Sequence, residues 1–201
     1  MSEGLDEKLY VYPDTTILRN NFGIYDSNKL EELERLCIAR RIKQEIPNGS
    51  FDLPHLQTIH KHLFQDIYPW AGELRQVPLN KGGNQFMPPN RLEIAMHDIH
   101  TRLEEQKFLK ALSKEKFSNE TGIIIGDINH VHPFREGNGR TQLCYLKLLA
   151  KQAGHEIELD RIEKDKWLEA SKESHFGNYE KISETIQHLI KVRERKRSRS
   201  R

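Results

Sequence analysis

The chain has 201 residues, 31% charged and 36% hydrophobic, with a formal net charge of +2. That length suits one domain with a real core. The +2 is a sum of unlike parts: Lys191 to Arg201 carry seven basic side chains and one acidic one, which leaves residues 1–190 at −4. A wholly basic nucleic-acid footprint is therefore excluded. No apolar run approaches the roughly 18 residues of a membrane span, and the opening residues Met1 to Asp6 lack the architecture of a secretory signal. A cytoplasmic protein with no membrane partner is expected. Cys37 and Cys144 both fall in apolar-periodic stretches and are expected as buried free thiols.

The body reads as a series of helices. Asp26 or Ser27 caps a stretch in which Leu30, Leu33, Leu36 and Cys37 recur at helical spacing, and Pro47-Asn48-Gly49 stops it. Asp52 precedes Leu53-Pro54, a proline placed for a helix start, with Leu56, Ile59, Leu63 and Phe64 as the apolar face. Between Trp70 and Asn90 there are too many glycines and prolines for a helix. Leu74 to Leu79, a turn at Asn80 to Asn84, and Gln85 to Met87 suit a short hairpin lying over the helices as a flap.

A further helix is expected from Asn90, with Glu93 completing a capping box and Leu92, Met96, Ile99 and Leu103 facing inward. Ser113 opens the next, with Phe117, Ile124, Ile125, Ile128 and Val131 buried. Residues 140–153 are apolar almost all round, which marks a central helix ended by Gly154. Asp160 and Asn178 suit the caps of two closing helices. The fold class is all-α with one small β-hairpin.

The chemistry concentrates in His132-Pro133-Phe134-Arg135-Glu136-Gly137-Asn138-Gly139-Arg140, between two strongly apolar helices. Gly137-Asn138-Gly139 before a helix gives unpaired N–H groups at its positive end, a nest for an anion such as phosphate. It is not a Walker A loop, because the spacing and the lysine of that motif are absent. Arg140 can add a charge-assisted contact to a second phosphate. Glu136 is a hard oxygen ligand suited to Mg²⁺ on phosphate oxygens. His132 can take a proton near neutral pH. These parts together point to phosphoryl or nucleotidyl transfer. A histidine metal site built on His130 and His132, or on His60 and His62, lacks a third ligand at characteristic spacing. His60 reads as a core-facing or rim residue, and Trp70 and Trp167 as core anchors.

The stretch HPFREGNGR resembles the core motif of the Fic domain family, HxFx[DE]GNGRxxR. The likeness extends to Tyr12-Pro13 with Leu18-Arg19-Asn20, to Trp70-Ala71-Gly72 with Arg75, and to Ile128-Asn129, over roughly residues 10–190. It implies a Fic domain over 1–190, with an N-terminal arm over about 1–25, a flap over about 73–88 and a basic, disordered tail over 191–201. The resemblance implies a protein adenylyltransferase with ATP as co-substrate: His132 deprotonates a Tyr, Ser or Thr hydroxyl of a target protein, which attacks the α-phosphate. It further implies that Glu136 holds Mg²⁺, that Gly137, Asn138, Gly139 and Arg140 bind the phosphates, and that Phe134 anchors the loop. The flap would align the target segment by strand-like pairing. Gly177-Asn178 resembles a family segment near the nucleotide base, and is equally explained as a loop and helix cap.

Two departures follow. The family's second arginine is Leu143 here, so nucleotide affinity and orientation are expected to suffer. The family's inhibitory pattern [ST]xxxE[GN] has no match; Ser27 to Glu32 comes nearest and ends in the wrong residue. Restraint is then expected from a separate small inhibitory protein, an antitoxin, or is absent. Three functions stay open: AMP transfer, transfer of another nucleotidyl or phosphoryl group by the same site, and a catalytically impaired target-binding module. Nucleic-acid binding is expected only weakly, through the basic tail.

Overall fold

The computed structural model describes residues 8–81 and 83–191. The basic run from 192 to 201 lies outside the described residues. The first long helix, α1 (Ser27–Ile42), starts where the Asp26 carboxylate accepts hydrogen bonds from the Asn28 and Lys29 N–H groups. Its apolar face is narrower than the sequence suggests. Leu30 and Ile38 are buried, whereas Leu36 is 53% exposed. The reason is that α1 packs chiefly on one neighbour, α2 (Leu53–Phe64), so a single strip suffices. In α2 Asp52 caps the His55 N–H at 2.9 Å, Pro54 occupies the first turn, and Leu56, Ile59, Leu63 and Phe64 are fully buried.

The flap is smaller than expected. Its ladder comprises only β1 (Asn80–Lys81) and β2 (Asn84–Gln85), antiparallel, with Asn80 opposite Gln85. The segment from Leu74 to Leu79 forms no ladder, and the Arg75 N–H turns instead to the Pro133 carbonyl, at 2.9 Å. The next helix, α3 (Leu92–Glu105), begins one residue later than the capping box requires and has no side-chain cap. Pro89–Arg91 forms a 3₁₀ turn that contains Asn90, which removes it from the capping position. Leu92, Met96, Ile99 and Leu103 are buried as expected.

Helix α4 (Lys114–Val131) is capped by Ser113 and packs against α3, α5 (Asn138–Ala153), α6 (Lys164–His175) and α7 (Glu180–Leu189). It, rather than α5, is the hub. Gly122 makes this possible, since a Cβ there would collide with Ser183 of α7. Helix α5 packs on α2 and α4 and ends at Gly154 in the left-handed conformation. Asp160 lies inside a 3₁₀ turn (Leu159–Arg161) and caps no helix; Asn178 accepts from the Glu180 N–H at 3.2 Å, but the N-cap of α7 is the next residue, Tyr179, with no side-chain cap. Cys37 is half-buried, Cys144 is buried, and both are free.

Candidate active site

The segment joining α4 to α5 carries the motif, and both helices fix its ends. His132 closes α4, its N–H bonding to the Ile128 carbonyl at 3.0 Å, and adopts the left-handed backbone conformation with φ 50°. A non-glycine residue there stores strain of order 1 kcal/mol, so the surroundings must hold it. Arg75 does so. It is 2% exposed, and its guanidinium donates to the carbonyls of His132 (2.7 Å), Val77 (2.8 Å), Val131 (3.1 Å) and Met87. Burial pushes the Arg75 pKa down to about 10, still charged at neutral pH. One planar fork thus ties the flap's base to the end of α4.

The imidazole of His132 lies under Phe86, which follows β2, with ring centroids 3.8 Å apart and planes 16° from parallel. Its Nδ1 faces the Asn129 carbonyl at 3.3 Å. A carbonyl only accepts, so Nδ1 carries the hydrogen and Nε2 keeps its lone pair. Burial, then the positive charge of Lys81, pushes the His132 pKa down to about 4. At neutral pH the ring is therefore a free base with its proton-accepting nitrogen defined.

The rest of the loop is braced from below. Phe134 is fully buried and stacks on His60, with centroids 3.9 Å apart. His60 accepts from the Gly72 N–H through Nδ1 (2.8 Å), which leaves Nε2 to donate to the Glu136 carbonyl (3.0 Å). Burial holds His60 neutral, with a pKa of about 4. It is a clamp on the loop and no metal ligand. Asn138 also turns inward: its side chain accepts from the Phe134 N–H (2.9 Å) and donates to the Phe134 carbonyl (2.7 Å). Gly137 sits at φ 81°, and a Cβ there would enter the Phe64 ring, so only glycine fits.

What faces outward is the N-terminus of α5, a 16-residue helix whose first N–H groups have no intrahelical partner. Glu136 lies beside it. Its Oε1 accepts from the Gly137 N–H at 2.9 Å and meets Arg140 Nη2 at 3.4 Å, leaving Oε2 outside both contacts. Burial would raise the Glu136 pKa, but Lys81, the Gly137 N–H and Arg140 outweigh it and hold the carboxyl below its usual value. Arg140 is less free than the motif suggests. Glu34 of α1 bonds its Nη1, and the Tyr68 hydroxyl donates to the same carboxylate.

A cavity of about 400 Å³ opens above these groups, lined by Lys81, Phe86, His132, Gly139, Gln142 and, from α6, Trp167 and His175. Its α5 wall is made by Gly139 and Gln142; Leu143 is partly buried against the core and is not among the lining residues. The structure thus brings together His132, Glu136 and the N–H groups at 137–140, and turns the Asn138 side chain away. Sequence reasoning missed Glu34, Lys81, Phe86 and Gln142; it read His60 as core-facing or rim, as its burial bears out, without its bond to the loop. Only Lys81 and Phe86 left a signal, by falling inside the expected flap. Among the described residues no cluster of three or more His, Cys, Asp or Glu side chains could hold a metal by itself. Glu136 fits Mg²⁺ nonetheless, since that ion takes one or two carboxylates and draws its other ligands from phosphate and water.

This architecture is shared. The Fic/DOC family model matches residues 50–150. A probable protein adenylyltransferase of Sinorhizobium fredii is 37% identical over 180 residues, covering 89% of this chain and 94% of the relative. The probable protein adenylyltransferase Fic of Escherichia coli is 34% identical over 177 residues, 88% of each. Among solved structures, BepC, a Bartonella tribocorum effector with bound AMPPNP, superposes with a TM-score of 0.83 at 25% identity, covering 92% of this chain and 97% of that one. The likeness runs well beyond the motif loop into the helices that hold it, and the chain belongs to the Fic/DOC family.

Proposed function

We propose that this chain is a protein adenylyltransferase that transfers AMP from ATP to a Tyr, Ser or Thr hydroxyl of a target protein. The observation that carries the reading is the single tautomer of His132: a neutral ring whose free Nε2 belongs to a cavity ending at a helix N-terminus. The names of the relatives, and the AMPPNP bound to BepC, support a nucleotide as the co-substrate.

In this reading the α5 N-terminus and Lys81 hold the phosphates. His132 Nε2 takes the hydroxyl proton as the oxygen attacks the α-phosphorus. The bond to the bridging oxygen breaks and pyrophosphate leaves; it needs no separate general acid. Glu136 would hold Mg²⁺, which supplies neutralisation of phosphate charge when bound. The target segment lies along the exposed flap strands, adding main-chain pairing to β1 or β2. A separate small inhibitory protein as regulator is part of the same reading.

The test is transfer of label from α-labelled ATP to protein, with γ-labelled ATP alongside. Label is expected only from the α position, and His132→Ala should reduce it by about 10²–10⁴-fold. Labelling from the γ position alone would make the enzyme a phosphotransferase. Labelling that survives His132→Ala would remove the histidine from the mechanism.

A further inference from the structure

A buried hydrogen-bonding group without a partner is costly, so each one in a folded chain calls for an occupant. Among the described residues six buried side-chain atoms have no partner, and two of them, Gln142 Nε2 and His175 Nδ1, belong to residues lining the same cavity. Gln142 is only 2% exposed. It sits one turn along α5 from Gly139, about 4.5 Å farther along the axis, on the same face. A half-turn about its last bond exchanges donor and acceptor, so the amide can serve either way.

We propose that Gln142 is a specificity-determining residue whose amide hydrogen-bonds the nucleoside portion of the bound nucleotide. The inference rests on the adenylyltransferase reading and adds to it the residue that reads the ligand. Phosphate is already served at the other end of the cavity, by the α5 N-terminus and Lys81. Phosphate oxygens only accept, whereas ribose hydroxyls and base edges offer donors and acceptors side by side, as a neutral amide requires. Trp167 and Leu168 of α6 give the cavity lining an apolar part, a surface on which a flat base can rest. His175 supplies the second unpartnered edge, and burial with neighbouring His130 lowers its pKa, which favours the neutral ring. The His175 ring also packs against Phe86 and His130, but its Nδ1, like the Gln142 amide nitrogen, has no hydrogen-bond partner among the described residues.

The experiment measures binding of ATP and of inorganic tripolyphosphate, both with Mg²⁺, to the full chain and to Gln142→Met and Gln142→Asn. Methionine fills the space without an amide; asparagine retracts the amide by one methylene. Both variants should bind ATP about tenfold more weakly, with tripolyphosphate binding unchanged. Removing an unpartnered buried amide should leave the melting temperature of the ligand-free Met variant equal or higher. ATP affinity unchanged in both variants would overturn the proposal. So would an equal loss for tripolyphosphate, which would place Gln142 on the phosphates, or a fall in ligand-free melting temperature in both, which would make it structural. Wild-type protein that binds no ATP sinks the adenylyltransferase reading along with this one. Wild type that binds and transfers normally, beside variants that do the same, sinks only the role of Gln142.

Discussion

At the scale of single residues, the positive charge of the site is distributed differently from what the motif promises. Arg140 stands where the motif puts it, yet Glu34 and Glu136 both engage it. The second arginine is replaced by Leu143, whose side chain packs against the core. That leaves Lys81, Lys172 and the α5 N-terminus as positive groups beside the cavity, within a body of net charge −4 over residues 1–190. Leu143→Arg adds a charged donor one helical turn from Arg140, on the same face. A charge-assisted hydrogen bond to phosphate is worth about 1.5–3 kcal/mol, so ATP should bind at least about tenfold more tightly, and α-label transfer at low ATP should rise with it. Titration of both proteins with ATP decides this; equal affinities would mean that the leucine costs nothing.

At the scale of elements, the flap and the motif loop act as one piece because Arg75 joins them. Four carbonyls from two segments converge on one guanidinium, with no carboxylate bonded to it among the described residues. Lysine keeps the charge but has a compact, strongly hydrated head without the planar fork. Arg75→Lys should therefore leave at least one carbonyl unpaired and lower stability by about 2–3 kcal/mol, read from urea unfolding. Because His132 itself is one of the acceptors, transfer activity of the folded variant should fall as well. Wild-type activity in a destabilised Arg75→Lys would show that the guanidinium matters to folding alone. On the opposite side, Glu34 and Tyr68 tie α1 and the end of the α2 segment to Arg140, so the first turn of α5 is gripped from two directions.

At the scale of the whole molecule, two neutral histidines, the buried His60 and the half-buried His132 at the cavity, set a pH dependence. His60 and His132 both have pKa values of about 4 against an ordinary 6.5. The unfolded chain therefore binds more protons than the folded one between those limits. Stability contributed by keeping these rings neutral is fully present above pH 6.5 and is lost as pH falls toward 4. For the fully buried His60 the effect is of order 3 kcal/mol. The melting temperature should drop on going from pH 7 to pH 5, before most carboxylates titrate. A flat profile over that interval would mean that these rings are solvated. Transfer activity should be insensitive to pH between 6 and 8, since His132 stays a base throughout.

Most helices were legible because each carries a local signal. Asp26, Asp52 and Ser113 cap where they stand, and the buried faces of α2, α3 and α4 follow their apolar spacing. The misreadings share a cause. Leu36 and the Asn90 capping box failed where a neighbour, or a preceding 3₁₀ turn, overrode local preference. The hub role passed from α5 to α4 because the number of packed neighbours is a property of the assembled chain.

The motif loop itself was readable from nine consecutive residues, since base, carboxylate and helix N-terminus are contiguous. What the sequence determined by itself was thus the family and the all-α class. The tertiary structure alone decided how the motif's groups are held and charged. It bound the loop with His60 and Arg75, committed Arg140 to Glu34, and left Gln142 unpartnered in the cavity wall. The physical reason is distance along the chain. Caps and apolar periods act within a few residues, while these contacts join residues separated by up to 106 positions, brought together only by packing. The net charge of +2 splits in the same way: its distribution along the chain is plain in the sequence, but which positive groups face the cavity is settled by the fold.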